Sequence, residues 1–195
     1  MKKWISAVCI LLTVLMTAGC SSSFDPSASS LYIKKDGTIV QAVVETFEKE
    51  YYSLDEFRSM VEKEVDTYNQ RLGQDKIRVQ SVELENDTLH LLLEYEDAET
   101  YSLYNEEYFF MGTVEEALDQ GLSFDMIFRD KDYEEYTTAE ATEKKNNSVI
   151  AAKEESVIEL QQAVKYVSSN VEVLDDHTVQ IMAIEDADEY AYIIY

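Results

Sequence analysis

The chain has 195 residues, of which 40 are acidic and 16 are basic, giving a formal charge of −24. Such an excess of negative charge repels phosphates and excludes a basic nucleic-acid-binding surface. Only 5 Gly and 1 Pro exclude collagen-like and Pro/Gly-rich disordered chains, and 2 Cys are too few for a disulfide framework. The length and the 46% hydrophobic content predict one domain with its own core.

The N-terminus has the pattern of a lipoprotein signal. Lys2 and Lys3 precede a mostly apolar run over 5–16, which is shorter than the roughly 20 apolar residues of a membrane-spanning helix. The run ends in Leu15-Met16-Thr17-Ala18-Gly19-Cys20, which resembles a bacterial lipobox, although Thr17 stands where an aliphatic residue is usual. We expect a signal peptide over 1–19 and lipid attachment at Cys20. An ordinary secretory signal is the alternative.

Cleavage before Cys20 would place the protein on the extracytoplasmic face of the bacterial cell membrane, anchored by lipid. It would remove Lys2, Lys3 and Cys9, which makes the net charge −26 and leaves no free thiol. The Ser-rich segment 20–30 predicts a flexible tether, and 31–195 then forms a single globular domain.

The first part of the domain predicts two hairpins around a long helix. Asp36-Gly37 marks a turn within a hairpin over 31–47. Ser53-Leu54-Asp55-Glu56 is a capping box that begins a helix with apolar residues at helical spacing, and Gly73 ends it. The segments 76–85 and 88–95 predict a second hairpin around Asn86-Asp87.

The middle of the chain predicts two shorter helices and a polar excursion. The segment 97–107 favours a helix with Tyr101, Tyr104 and Tyr108 on one side. A second capping box, Thr113-Val114-Glu115-Glu116, begins a short helix that Gly121 ends. The segment 129–148 lacks Val, Ile, Leu, Met and Phe, which predicts a long loop or an exposed helix.

The C-terminal third is rich in β-forming residues. Strands are predicted over 156–160, 164–168, 171–174, 178–184 and 189–195, with a turn at Asp175-Asp176-His177. Because the predicted order is two strands, a helix, two strands, two helices and then strands, and not an alternation of single strands and helices, the fold class predicted is α+β, with antiparallel β-hairpins packed against one long and one or two short helices.

The chain lacks the usual catalytic patterns. It has no G-x-S-x-G elbow, no H-E-x-x-H zinc motif and no glycine-rich phosphate loop. His90 in a strand and His177 in a turn are interpreted as structural residues, and we assign no catalytic, cofactor-binding or metal-ligating residue. Among 40 acids a glycosidase-like carboxylate pair stays open, although no pair stands out.

Two features suggest binding. Acidic clusters occur at Asp130-Lys131-Asp132, at Asp175-Asp176 and over 185–189, which leaves weak Ca²⁺ binding open beside the simpler interpretation of a solvated acidic face. Tyrosines are abundant and suit protein or sugar partners, or else fill the periphery of the core; they are Tyr51, Tyr52, Tyr101, Tyr104, Tyr108, Tyr133, Tyr136, Tyr190, Tyr192 and Tyr195.

Several short segments resemble a family of uncharacterised lipoproteins of anaerobic Gram-positive bacteria. They are Lys35-Asp36-Gly37, Phe47 with Tyr51-Tyr52, Tyr68-Asn69, Tyr104-Asn105, Phe109-Phe110-Met111-Gly112-Thr113-Val114 with Glu116-Ala117, Tyr166-Val167-Ser168 and Tyr192-Ile193-Ile194-Tyr195. The resemblance implies an α+β domain on a lipid anchor and implies no activity.

From the sequence we expect a lipid-anchored cell-envelope protein that is a non-enzymatic interaction module with an acidic, Tyr-rich surface. Its partners would be the membrane, through lipidated Cys20, and a cationic protein, peptide or glycan. The alternatives are a carboxylate-based hydrolase acting on cell-wall polymers and a Ca²⁺-stabilised structural lipoprotein.

Overall fold

A computed structural model describes residues 24, 26–47, 53–184 and 189–195. The helices in this part are α1 (Leu54–Leu72), α2 (Ala98–Asn105), α3 (Val114–Asp119) and α4 (Thr138–Ala141). The strands are β1 (Ser30–Ile33), β2 (Ile39–Thr46), β3 (Ile77–Glu85), β4 (Thr88–Tyr95), β5 (Phe109–Thr113), β6 (Phe128–Arg129), β7 (Glu135–Tyr136), β8 (Ser148–Ala152), β9 (Ser156–Leu160), β10 (Tyr166–Ser168), β11 (Val171–Val173), β12 (Thr178–Ile181) and β13 (Ala191–Ile194).

The strands form two sheets. The large sheet has the order β11-β12-β9-β1-β2-β4-β3, and the small sheet has the order β5-β8-β13-β10-β6-β7. All pairings are antiparallel except the one between β1 and β9, which is parallel. The α+β class and the β-rich C-terminal part are confirmed, but the parallel pairing was not predicted.

Both predicted hairpins of the first part are confirmed. Gly37 has a φ of 93° in the turn between β1 and β2, a conformation that costs glycine little. The turn between β3 and β4 is formed by Asn86 and Asp87, with φ of 48° and 61°. Two consecutive positive φ values match the twist of a two-residue hairpin, which is why the Asn-Asp pair predicts this turn.

The helix ends also follow the predicted local chemistry. At the start of α1, Ser53 Oγ accepts the Glu56 N–H at 3.3 Å, which is one half of the predicted capping box, and Gly73, with a φ of 67°, ends the helix. Thr113 and Glu116 form the complete capping box at the start of α3. The helix predicted over 97–107 is α2, but Tyr108 lies beyond its end and next to β5.

The segment 129–148, predicted as a long loop or an exposed helix, is mostly exposed but contains regular structure. It contains strand β7 and helix α4, and it joins strands β6 and β8 of the small sheet. Ala141 and Thr142 are buried in it although neither is strongly hydrophobic. Small side chains fit tightly packed sites, which explains how these two residues are buried within an otherwise mostly exposed segment.

The tether predicted over 20–30 ends earlier than expected. Ser30 belongs to β1, and Ser29 Oγ accepts the Val44 N–H at 2.9 Å. The Phe24 ring stacks on Tyr32 with centroids 5.2 Å apart. The other predictions for 1–23 and residue 25, including Cys20, lie outside the described residues.

Two hydrophobic clusters cover the two faces of the small sheet. On one face, Ile150 and Ile193 join a core with Ile158 of the large sheet and Val61 of α1. On the other face, Tyr192 and its neighbours are covered by α3, by α4 and by the chain between α3 and β6. Each large aliphatic side chain buried in this way contributes roughly 1.5–3 kcal/mol, so the small sheet is fixed from both sides.

Candidate functional site around helix α2

Helix α2 is fixed at its start by Asp97. The Asp97 carboxylate accepts the Thr100 N–H at 2.8 Å and the Thr100 O–H at 2.6 Å, and Lys76 Nζ donates to it at 2.7 Å. Burial favours the neutral acid, but the hydrogen bonds from Lys76 and Thr100 outweigh it and lower the pKa of Asp97. The carboxylate is therefore an ionised N-cap that sets the position of the helix.

Aromatic rings hold the inner side of α2. Tyr101 contacts Tyr95 of β4 and Phe109 of β5, with centroid distances of 5.2 and 5.0 Å. Tyr104 contacts Tyr68 of α1 edge to face at 5.1 Å. Burial raises the pKa values of Tyr95 and Tyr101, which keeps both phenols neutral. The helix is thus attached to α1 and to both sheets by edge-to-face rings.

The outer side of α2 carries an exposed leucine between two grooves. Leu103 is 62% exposed, the highest fraction among the large apolar side chains of the described chain. It contributes to the groove between α1 and α2 and to the groove between α2 and β5. We call these the α1/α2 groove and the α2/β5 groove.

The α1/α2 groove has a volume of about 530 Å³. Tyr68 and Tyr104 contribute their rings, Met60 is 57% exposed, and the guanidinium of Arg71 lies 5.1 Å from the centroid of the Tyr68 ring. Charges of both signs line it, so its electrostatics favour neither an anionic nor a cationic ligand. The groove suits an apolar side chain of a partner.

The α2/β5 groove has a volume of about 490 Å³. Glu99 and Leu103 lie on the α2 side, Phe109 and Met111 lie on the β5 side, and Tyr108 lies at the start of the strand. Glu99 is the one charged residue among the residues that line this groove. The groove therefore combines apolar walls, a strand edge and a negative charge.

A smaller acidic cleft lies behind α2. It has a volume of about 200 Å³ and includes Tyr101, Glu107, Glu154 and Glu155. Tyr101 O–H donates to Glu107 Oε2 at 3.1 Å. Burial raises the pKa of Glu107, the charge of Glu154 raises it further, and the Tyr101 hydrogen bond opposes both. A carboxyl group with a raised pKa beside a second carboxylate is suited to holding a proton or a cation.

The two histidines, interpreted from the sequence as structural residues, lie in β4 and in the turn before β12. His90 lies in β4 between Val44 of β2 and Glu83 of β3. His177 is exposed in the turn before β12, where its Nδ1 lies 3.1 Å from the Leu160 carbonyl oxygen. Neither lines one of the three concave surfaces around α2.

The described acidic clusters serve as turn formers. Asp130 Oδ1 accepts the N–H groups of Asp132 and Glu134, at 2.9 and 3.0 Å. Asp175 Oδ1 accepts the His177 and Thr178 N–H groups, and its pKa is lowered chiefly by the first of these bonds. In the described part of the chain, no group of three or more His, Cys, Asp or Glu side chains could hold a metal ion. Residues 185–188 of the third cluster lie outside it.

The tyrosines divide between core and surface. Tyr101, Tyr192 and Tyr195 are buried, and Tyr104, Tyr136 and Tyr190 are half-buried. Tyr108 is 36% exposed and Tyr133 is 61% exposed. Tyr51 and Tyr52 lie outside the described residues. The most exposed of these rings, Tyr133, lies between β6 and β7, whereas Tyr68, Tyr104 and Tyr108 form a partly exposed aromatic group beside α2.

Sequence reasoning missed Glu99, Leu103 and Glu107 as surface features of one region. A signal was present, because Leu103 falls on the side of the helix opposite the buried Tyr101.

No protein-family model, no curated protein and no solved structure matches the chain. Among the described helices, none has both the length and the apolar composition needed to cross a bilayer.

Proposed function

We propose that this protein is a lipid-anchored module of the bacterial cell envelope that binds a cationic partner through the surface around α2. The single observation that supports binding most directly is the pair of grooves that share exposed Leu103 on a chain of net charge −24. Exposed apolar surface at a concave site is typical of interaction surfaces, and the net charge attracts and steers cations.

The anchor part of the proposal is supported by the lipobox ending at Cys20 and by the position of Phe24. Phe24 stacks on Tyr32 of the large sheet. Three residues separate it from Cys20, and the four Cα–Cα steps between Cys20 and Phe24 span at most about 14 Å. A lipid on Cys20 would therefore hold the large sheet close to the membrane surface and leave the opposite, small-sheet side free for partners.

Fractionation tests the anchor. Wild-type protein is expected in the membrane fraction, and Cys20→Ala is expected to leave that fraction because the lipid attachment atom is gone. Ser21→Ala is the matched control and should fractionate as the wild type does. A Cys20→Ala protein that stays with the membrane would contradict lipid anchoring at this residue.

Titration with a charged probe tests the binding part. An oligolysine peptide is expected to bind at low salt and to lose affinity as salt rises, whereas an oligoglutamate peptide of the same length is expected not to bind. Leu103→Ala should weaken binding, and Leu174→Ala, at another exposed leucine, should not. Equal binding of the two peptides would contradict the proposed preference for cations.

The raised pKa of Glu107 beside Glu154 also supports a second candidate, a carboxylate-based hydrolase. In that function Glu107 would be the general acid and Glu154 the second carboxylate. Purified cell-wall polymer is the test substrate, and released soluble sugar is the measurement. Loss of release in both Glu107→Gln and Glu154→Gln would support this candidate, and absence of release by the wild type would eliminate it.

A further inference from the structure

The edge strand β5 has backbone groups that its own sheet does not use. In an antiparallel pair, successive residues direct their N–H and C=O groups alternately toward the partner strand and away from it. The register with β8 and the bond from the Val114 N–H to the Asn147 carbonyl place residues 110 and 112 toward β8. Phe109, Met111 and Thr113 therefore direct their backbone groups toward the open edge.

One of these outward groups is already paired. The Thr113 N–H donates to Glu116 Oε2 at 2.7 Å. Within the described chain, no hydrogen bond reaches the outward backbone groups of Phe109 or Met111. These two residues are two positions apart, which is the spacing at which an added antiparallel or parallel strand forms its ladder bonds.

The space beside this edge is the α2/β5 groove. Phe109 contacts Tyr101 on the α2 side of the small sheet, whereas Gln120, at the end of α3, lines the groove on the other side. A strand added to β5 would thus direct alternate side chains toward α2 and toward the end of α3. Leu103 and Tyr108 also line the groove and offer apolar contacts to the side chains of such a strand.

The charge of the groove indicates the kind of segment that fits. Glu99 is the one charged residue that lines it, and the chain as a whole has a charge of −24. A lysine or arginine on the row that faces α2 can approach Glu99, and a basic segment is attracted at long range. An acidic segment would be repelled by both.

We propose that β5 accepts an extended basic segment of a partner protein as an added strand of the small sheet, bound in the α2/β5 groove. The main-chain bonds to Phe109 and Met111 give affinity, and the contacts with Glu99 and Leu103 give selectivity. This inference rests on the proposed function, because it specifies where and how the cationic partner binds.

The test uses a peptide of alternating lysine and valine residues as the probe. Amide hydrogen exchange of the isotope-labelled full chain in detergent micelles is measured residue by residue, with and without the probe. The peptide is expected to protect the amides of Phe109 and Met111, which have no hydrogen-bond partner within the described residues. Binding that leaves both amides as exposed as before would overturn the proposal.

Two variants of Met111 separate the backbone bond from the side chain. Met111→Pro removes the outward N–H and places a ring in the path of the added strand, but it leaves the β5–β8 bonds intact. Met111→Ala keeps the N–H and removes the side chain. We expect Met111→Pro to bind the probe about tenfold more weakly than Met111→Ala, which corresponds to one lost main-chain bond. Equal affinity would overturn strand addition.

Two charge-reversal variants test whether the bound segment must be basic. Glu99→Lys and Glu62→Lys change the net charge equally, but Glu62 is exposed on α1 and outside the α2/β5 groove. Glu99→Lys should weaken probe binding about fivefold more than Glu62→Lys at low salt. Probe binding that maps to another surface would keep the proposed function and overturn this site, whereas a probe that does not bind at all would overturn both.

Discussion

Two edge strands of the fold, β3 in the large sheet and β5 in the small sheet, differ in how many of their outward backbone groups are hydrogen-bonded. At β3, Asn69 of α1 accepts the Ile77 N–H at 3.1 Å and donates to the Ile77 carbonyl at 2.8 Å. Arg58, also of α1, donates to the Val82 carbonyl at 2.8 Å. At β5, the Glu116 carboxylate accepts the Thr113 N–H, and no other described residue pairs with the outward backbone groups of Phe109 and Met111.

The difference shows how one fold can protect one edge and keep another for binding. The side chains of α1 occupy the positions that a neighbouring strand would otherwise take along β3, and a bulge between Val79 and Ser81 further disturbs the edge. Helix α2, which lies beside β5, leaves the α2/β5 groove between itself and the strand. The net charge of −24 disfavours pairing of this edge with a second copy of the chain.

The largest expected effect comes from removing Asn69, whose side chain pairs with backbone groups at the β3 edge. Asn69→Ala removes the partner of the Lys76 N–H and of both backbone groups of Ile77, at a side chain that is 8% exposed. Unpaired buried backbone groups cost roughly 1–3 kcal/mol each, so we expect unfolding free energy to fall by about 3 kcal/mol. Urea unfolding followed by circular dichroism measures the change.

Asn105→Ala is the matched control for this prediction. Asn105 also uses its Nδ2 to donate to a backbone carbonyl, that of Tyr101 at 3.0 Å, but it is only half-buried and does not touch a strand edge. Its loss should cost about 1 kcal/mol. If the Asn69 variant were as stable as the Asn105 variant, the α1 side chains would not be what protects β3.

A smaller effect is expected at the end of β5. Thr113→Ala removes the hydroxyl that accepts the Glu116 N–H at 3.2 Å and frees the carboxylate that takes the Thr113 N–H. Loss of an N-cap hydroxyl costs about 1 kcal/mol. Urea unfolding should show this loss, and hydrogen exchange at residue 113 should become faster.

Thr137→Ala is the control, because Thr137 and Glu140 form the same capping box at α4, away from the β5 edge. It should lower the unfolding free energy by a similar amount and leave exchange at residue 113 unchanged. Slow exchange at residue 113 in the Thr113 variant would show that this end of β5 is protected by something other than the capping box.

What the sequence predicts well is the chemistry that acts over a few residues. Asn86 and Asp87 specify a hairpin turn through their own backbone conformations, and the Thr113–Glu116 box begins a helix through bonds within four residues. Such features need no information about distant parts of the chain. The two hairpins and three helices of the first 121 residues were predicted for this reason.

The missed features depend on partners far along the chain. The five residues of β5 have no strong alternation, and their strand exists because β8, almost forty residues later, pairs with it. The parallel pair of β1 and β9 joins residues more than a hundred positions apart. Burial of Ala141 likewise depends on the small sheet that α4 covers. The candidate site was missed with them, since Glu99 and Leu103 form a groove only beside β5.

The smallest expected effect concerns Glu107, two residues before the open edge. Burial and the charge of Glu154 raise its pKa in the folded protein. Between the usual carboxyl pKa and the raised value, the folded state binds more protons than the unfolded state, so the unfolding free energy falls as pH rises through this window. The contribution is small because Glu107 is only half-buried and solvent screens it.

Glu107→Gln removes this ionisation and keeps an oxygen that can accept the Tyr101 O–H. The variant is therefore expected to melt at a higher temperature than the wild type at neutral pH and at the same temperature at a pH below the usual carboxyl value. Glu106→Gln, which removes an exposed carboxylate one residue earlier, should not reproduce this pH-dependent difference. A wild-type pH profile in the Glu107 variant would mean that the groups beside the open edge are fully solvated. In that case the hydrolase alternative would lose the raised pKa of Glu107 that supports it, whereas the strand-addition site, which depends on Glu99 and Leu103, would be unaffected.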